Sequence, residues 1–149
     1  MALLKWSDWH EIGIPSIDDQ HKNLFEALNR LHDAIQSDEG EAFVARTLAF
    51  LVDHTVTHFQ DEEAQMALAA YPGLAEHQAE HSLMLKRVDE AQTQYLTDHS
   101  SMKALALGEM MATWAPQHIL GMDELFAAAV KAGTQIAQPA PEMVLPARG

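Results

Sequence analysis

Apolar residues recur along this chain at alternating spacings of four and three, the period of one face of an α-helix. One series runs Ile17, His21, Leu24, Leu28, Leu31, Ile35, and a second Val44, Leu48, Leu51, Thr55, His58, Glu62. A third runs Leu74, His77, His81, Met84, Val88, Ala91, Tyr95. The fourth passes Leu107, Met111, Trp114 and His118, then resumes at Leu125 and Ala129 after a break near Gly121. Pro15, Gly40, Pro72-Gly73 and Gly133 punctuate the series, and the polar run Asp98-His99-Ser100-Ser101 separates the last two. The pattern predicts helices over about 17–37, 41–70, 73–97 and 101–131, and no strand, since no segment sustains period-two alternation. Ser16 with Asp19 reads as a capping box for the first helix, and Pro72 as a first-turn residue of the third.

Four apolar stripes joined by short connections predict an all-α fold, an antiparallel up-down four-helix bundle with its seams on a common core. Residues 1–133 are assigned to that domain. Residues 134–149, which carry Pro139, Pro141 and Pro146, read as a flexible, disordered tail.

Composition narrows the function classes. The 9 Lys and Arg against 22 Asp and Glu give a formal charge of −13, which argues against nucleic acid and anionic membrane surfaces. The absence of cysteine removes disulfides, thiolate nucleophiles, iron–sulfur clusters and cysteine zinc sites. No apolar run is long enough for a signal peptide or a membrane span, so a cytoplasmic protein is expected. What stands out is 9 histidines, as many as the lysines and arginines combined.

Several of those histidines interrupt the apolar seams. His21, His58, Glu62, His77, His81 and His118 all occupy stripe positions, where unpartnered polar groups cost several kcal/mol. A lone histidine there is ordinary core, hydrogen-bonded and inert; six polar groups together call for a common partner. His58 with Glu62, and His77 with His81, are spaced i,i+4, so each pair projects from one helix face. Imidazole and carboxylate together suit Fe, Zn, Mn or Cu, and five histidines with a carboxylate exceed the four ligands of a structural zinc. Two ions account for the number of donors. A second bridging carboxylate is then needed near His118, and Asp123 is the candidate. On an ideal helix, however, five residues turn about 140°, so spacing alone does not bring it there.

The stretches Gly13-Ile-Pro-Ser-Ile-Asp-Asp-Gln-His21, His58-Phe-Gln-Asp-Glu62, His77-Gln-Ala-Glu-His81 and Trp114-Ala-Pro-Gln-His118-Ile-Leu-Gly-Met-Asp123 resemble the hemerythrin family, in the family's order, across about residues 6–130. The resemblance implies two non-haem Fe ions with an oxo or hydroxo bridge and O2 as ligand. It assigns His77, His81 and His118 to one iron, His21 and His58 to the other, and Glu62 and Asp123 to both. It implies reversible O2 binding without catalysis, by a monomer that carries, stores or delivers O2, with an O2-consuming enzyme as delivery partner. Phe59, Trp114 and Ile119 flank ligands and are candidates for an apolar wall, though plain core packing explains them equally well. Pro116 departs from the family pattern and is expected to kink or restart the fourth helix.

Other readings explain less. His77-Gln-Ala-Glu80-His81 fits the zinc-peptidase pattern H-x-x-E-H, but leaves His21, His58, Glu62, His118 and Asp123 idle, and places Glu80 off the stripe toward solvent. Ferritin-like diiron enzymes use Glu-x-x-His, and no histidine here has glutamate three residues before it. A diiron enzyme handling peroxide or nitric oxide, and an O2-sensing interaction module, are the alternatives that keep the same ligands. His10 and His99, near element ends, are expected to be solvated, and His54 to sit at an exposed edge or behind the site.

Overall fold

The computed structural model describes residues 3–37 and 40–137. Four long helices, α1 (Pro15–Gln36), α2 (Glu41–Leu68), α3 (Leu74–Asp98) and α4 (Ser101–His118), make the bundle. A π-helical turn, Ile119–Asp123, carries α4 into α5 (Glu124–Ala137), and a 3₁₀ turn, Asp8–His10, precedes α1. There is no strand among the described residues. Both α1 and α3 pack against α2 and α4, which closes the four into a ring of neighbours around one core. The expected four-helix bundle is thus the fold. Among the described residues no helix is long and apolar enough to cross a membrane.

The predicted stripes supply the core: Leu24, Leu28 and Leu31 of α1, Leu48 and Leu51 of α2, Met84 and Val88 of α3, and Met111 of α4 are all buried. Tyr95, also buried, donates its hydroxyl to the Glu41 carbonyl at 3.2 Å and so ties the end of α3 to the start of α2. This layer fills the half of the bundle away from the histidines and gives them a rigid frame.

Three local expectations need correction. First, Ser16 and Asp19 do not cap α1. That helix starts with Pro15, whose fixed φ suits the first turn, and its N-cap, Ile14, offers no side-chain bond. The loop is held instead by buried Asp18, whose carboxylate accepts from Ile12 N at 2.8 Å and Gly13 N at 3.1 Å. Second, Pro72 lies outside α3, which begins after Gly73.

The third correction concerns the fourth helix. Pro116 sits inside α4, and the irregularity falls three residues later, in the π turn, where Glu124 N–H reaches back five residues to Ile119 O. That turn takes up one residue more than an α-turn. Every later side chain is therefore displaced by one position on the helix face. Leu125 and Ala129, expected in the core, are exposed, and Phe126 and Ala127 are buried in their place. The helix also continues past Gly133 through residues 134–137. The remainder of the segment read as a tail, 138–149, lies outside the described residues.

Candidate metal centre

Each residue expected to be a ligand is buried, the six seam positions and Asp123 alike. His21, His58, Glu62, His77, His81, His118 and Asp123 are all at most 6% exposed. α1 contributes His21, α2 His58 and Glu62, α3 His77 and His81, α4 His118, and the π turn Asp123. Five imidazoles and two carboxylates thus meet where the four seams converge. Asp123 faces the same way as His118 because the five residues separating them span the π turn. There, i,i+5 does the work that i,i+4 does on an α-helix.

The two carboxylates divide the histidines. Glu62 Oε1 lies 3.0 Å from His77 Nε2 and 3.1 Å from His81 Nε2, and its Oε2 lies 3.6 Å from His21 Nε2 and 3.8 Å from His58 Nε2. Asp123 Oδ1 lies 2.8 Å from His77 Nε2 and 3.2 Å from His118 Nε2, and its Oδ2 lies 3.1 Å from His21 Nε2. One oxygen of each carboxylate therefore serves a three-histidine compartment, and the other a two-histidine compartment. Donor atoms of Glu62, His77, His81, His118 and Asp123 form one group able to hold an ion, and those of His21, His58 and Glu62 another.

Several features of the cluster fit cations. Despite these short distances, the oxygens of Glu62 and Asp123 and both ring nitrogens of His21 are buried without an aligned hydrogen bond. The Nε2 atoms of His77, His81 and His118 crowd together, with His118 3.0 Å from His77 and 3.2 Å from His81. Ring nitrogens converge this closely only around a proton or a positive ion. Buried donors and acceptors in such numbers are otherwise rare and costly.

The same proximity of imidazoles and carboxylates governs their titration. Burial depresses the His21 and His77 imidazoles, but Asp123 and Glu62 outweigh it and push both up to about 9. For His58 burial wins, only partly opposed by Glu62, and its value falls to about 4. Burial alone would raise the Glu62 carboxyl, yet His21, His77 and His81 hold it well below the usual carboxylate range. His118, His21 and His77 do the same for Asp123.

Aromatic rings cover the three-histidine side. Phe59 stacks flat on His81, with centroids 3.8 Å apart, and Trp114 lies over His118 at 4.3 Å. Ile119, which follows His118 in the chain, is buried as well. All three candidate wall residues are therefore next to ligand positions.

Several residues around the cluster were not singled out from the sequence. Gln20 and Glu63 hold the His58 and His81 rings from behind, and Asp61 accepts from the Gln20 amide. Glu80, expected toward solvent, stays partly exposed but approaches His118 Nδ1 to 3.8 Å. For the first three the one available signal was adjacency, since Gln20 precedes His21 and Asp61 and Glu63 flank Glu62. Half-buried His54 bonds through Nε2 to the Gln20 carbonyl at 3.2 Å, which places it behind the site. His10 is not simply solvated: its ring is half-buried between Trp6 and Phe25, with Nδ1 3.1 Å from Ser7 N.

A buried cluster of imidazoles and carboxylates inside a four-helix bundle defines a helical cation-binding domain. Comparison with known proteins agrees. The model of the hemerythrin HHE cation binding domain matches residues 12–130. Relatives named bacteriohemerythrin include one from Stenotrophomonas maltophilia, 39% identical over 89% of this chain and 84% of its own length. Another, from Pseudomonas aeruginosa, is 35% identical over 88% of this chain and 84% of its own. A crystal structure of wild-type hemerythrin superposes with a TM-score of 0.80 at 26% identity, covering 87% of this chain and 98% of that one. The chain belongs to the hemerythrin family.

Proposed function

We propose that this protein binds O2 reversibly at a non-haem diiron centre, with His77, His81 and His118 on one iron, His21 and His58 on the other, and Glu62 and Asp123 shared. The observation that carries the assignment is the division of each carboxylate's two oxygens between the two histidine groups. One carboxylate so placed could serve a single ion; two, from different elements, favour a pair. When bound there, the two irons would supply the two electrons that O2 capture takes up reversibly.

The rest is done by the chain. The two-histidine compartment has fewer protein donors, which leaves room for an exogenous ligand on that side. Phe59, Trp114 and Ile119 keep water from the neighbouring imidazoles, which favours release of O2 over its irreversible reduction. Histidine predominates over carboxylate in the cluster, a donor set that supports ligand binding over oxidation of organic substrates. Delivery to an O2-consuming enzyme, by a chain acting as a monomer, completes the reading.

The test is anaerobic loading with ferrous iron, followed by repeated cycles of air and oxygen removal watched by absorbance. Two irons per chain and a charge-transfer spectrum that appears and disappears with O2 are expected. One irreversible oxidation with release of peroxide would replace the carrier by an enzyme. Binding of a single zinc with no iron uptake would end the diiron assignment.

A further inference from the structure

The two histidine compartments are backed by different chemistry. Behind His81, Glu63 Oε2 lies 2.7 Å from Nδ1. A carboxylate only accepts, so His81 carries its proton on Nδ1 and presents a bare Nε2 to the cluster. Behind His58 the partner is Gln20, whose Oε1 lies 2.8 Å from Nδ1. The Gln20 amide nitrogen is committed to Asp61 Oδ2 at 2.7 Å, so the oxygen is the end that faces His58. His58 is therefore fixed in the same tautomer, by a neutral group.

We infer that Glu63 is a positioning residue that makes the three-histidine compartment the tighter and first-filled of the two metal sites, while Gln20, clamped by Asp61, orients His58 without adding charge. A carboxylate hydrogen-bonded to a ligand imidazole polarises the ring and increases the basicity of the opposite nitrogen; an amide does so less. Glu80, 3.8 Å from His118 Nδ1, adds a second carboxylate on the same side. The asymmetry matches the histidine count, three imidazoles on one side against two on the other, with both carboxylates shared. It rests on the diiron reading, and it gives the molecule a strong holding site beside a weaker one.

The experiment is anaerobic titration of the metal-stripped full-length chain with Co(II), followed through its visible absorbance, after far-UV circular dichroism has shown each variant to be helical. Wild type should take up two Co(II) per chain in two resolved steps. Glu63→Gln, which keeps an acceptor and drops the charge, should weaken the first step about 10- to 100-fold and leave the second nearly unchanged. Glu63→Asp should recover part of the loss. Gln20→Leu should weaken the second step alone. In the Co(II) protein, the exchangeable Nδ1 proton of His81 should shift in Glu63→Gln and not in Gln20→Leu. Wild-type binding of fewer than two Co(II) defeats the diiron reading itself. Two Co(II) in wild type, with Glu63→Gln either indistinguishable from it or weakening both steps equally, overturns the inference alone.

Discussion

His118 and Asp123 stand 3.2 Å apart, Nε2 to Oδ1, although five residues separate them and an ideal α-helix would turn them well away from each other. The π turn between them absorbs one residue. Deleting Gly121, which is exposed and has open space around its Cβ position, should convert the turn to regular α-helix. The pair then becomes i,i+4 and keeps its common face. Iron content near two per chain is expected by metal analysis. Inserting one alanine beside Gly121 adds a further residue, turns Asp123 away, and should lower the iron content by at least one per chain.

His77 Nε2 is the ring nitrogen nearest to both shared carboxylates, 3.0 Å from Glu62 and 2.8 Å from Asp123. His77→Ala should therefore remove at least one of the two irons and abolish the O2-dependent spectrum. Half-exposed His99, paired with Glu41 at 3.3 Å near the opposite end of the bundle, provides the contrast. His99→Ala should leave iron content unchanged, and equal losses in the two variants would contradict the ligand assignment.

Without metal, stability should depend on pH in a defined window. His21 and His77 titrate near 9 in the folded chain against an ordinary 6.5, so the fold holds protons that the unfolded chain releases. Their contribution is complete below 6.5 and disappears as the pH rises through about 9. Urea unfolding of the metal-stripped chain should shift to lower denaturant across that interval. Iron-loaded protein should lack the shift, because its imidazoles are committed to metal. Loading at pH 7.5 should also release protons, measurable with a weakly buffered indicator.

Asp18 holds the turn that delivers His21. Its two oxygens satisfy the buried N–H of Ile12 and the neighbouring N–H of Gly13. Asp18→Ala leaves both without that partner and should cost about 1–3 kcal/mol in urea unfolding. Asp18→Asn, which keeps one acceptor, should cost less. Because His21 lies one helical turn on, the alanine variant should also weaken the second metal step more than the first.

Much of the fold was legible because burial leaves a period in the sequence. Three of the four stripes coincide with α1, α2 and α3, and the polar residues that broke the stripes are the buried cluster. Those histidines could be found because a seam position has one predictable direction. Gln20, Asp61 and Glu63 could not, since they are ordinary polar residues off the stripe, and their roles depend on which helix lies opposite. Nor could the stripe of α5 be read, because Leu125 and Ala129 keep the α-period of α4, and a single extra residue in the turn shifts the face to Phe126.

By itself the sequence determined a helical bundle, the inward faces of its first three helices, and a set of six seam donors too numerous and too polar for an apolar core. Periodicity and the cost of burying unpaired polar groups suffice for that. Only the tertiary structure decided how the donors divide. It directs one oxygen of each carboxylate to either histidine group, swings Asp123 into place through the π turn, and sets a carboxylate behind His81 but an amide behind His58. Those relationships join residues on different helices, and no spacing along one chain encodes the angle at which two helices meet.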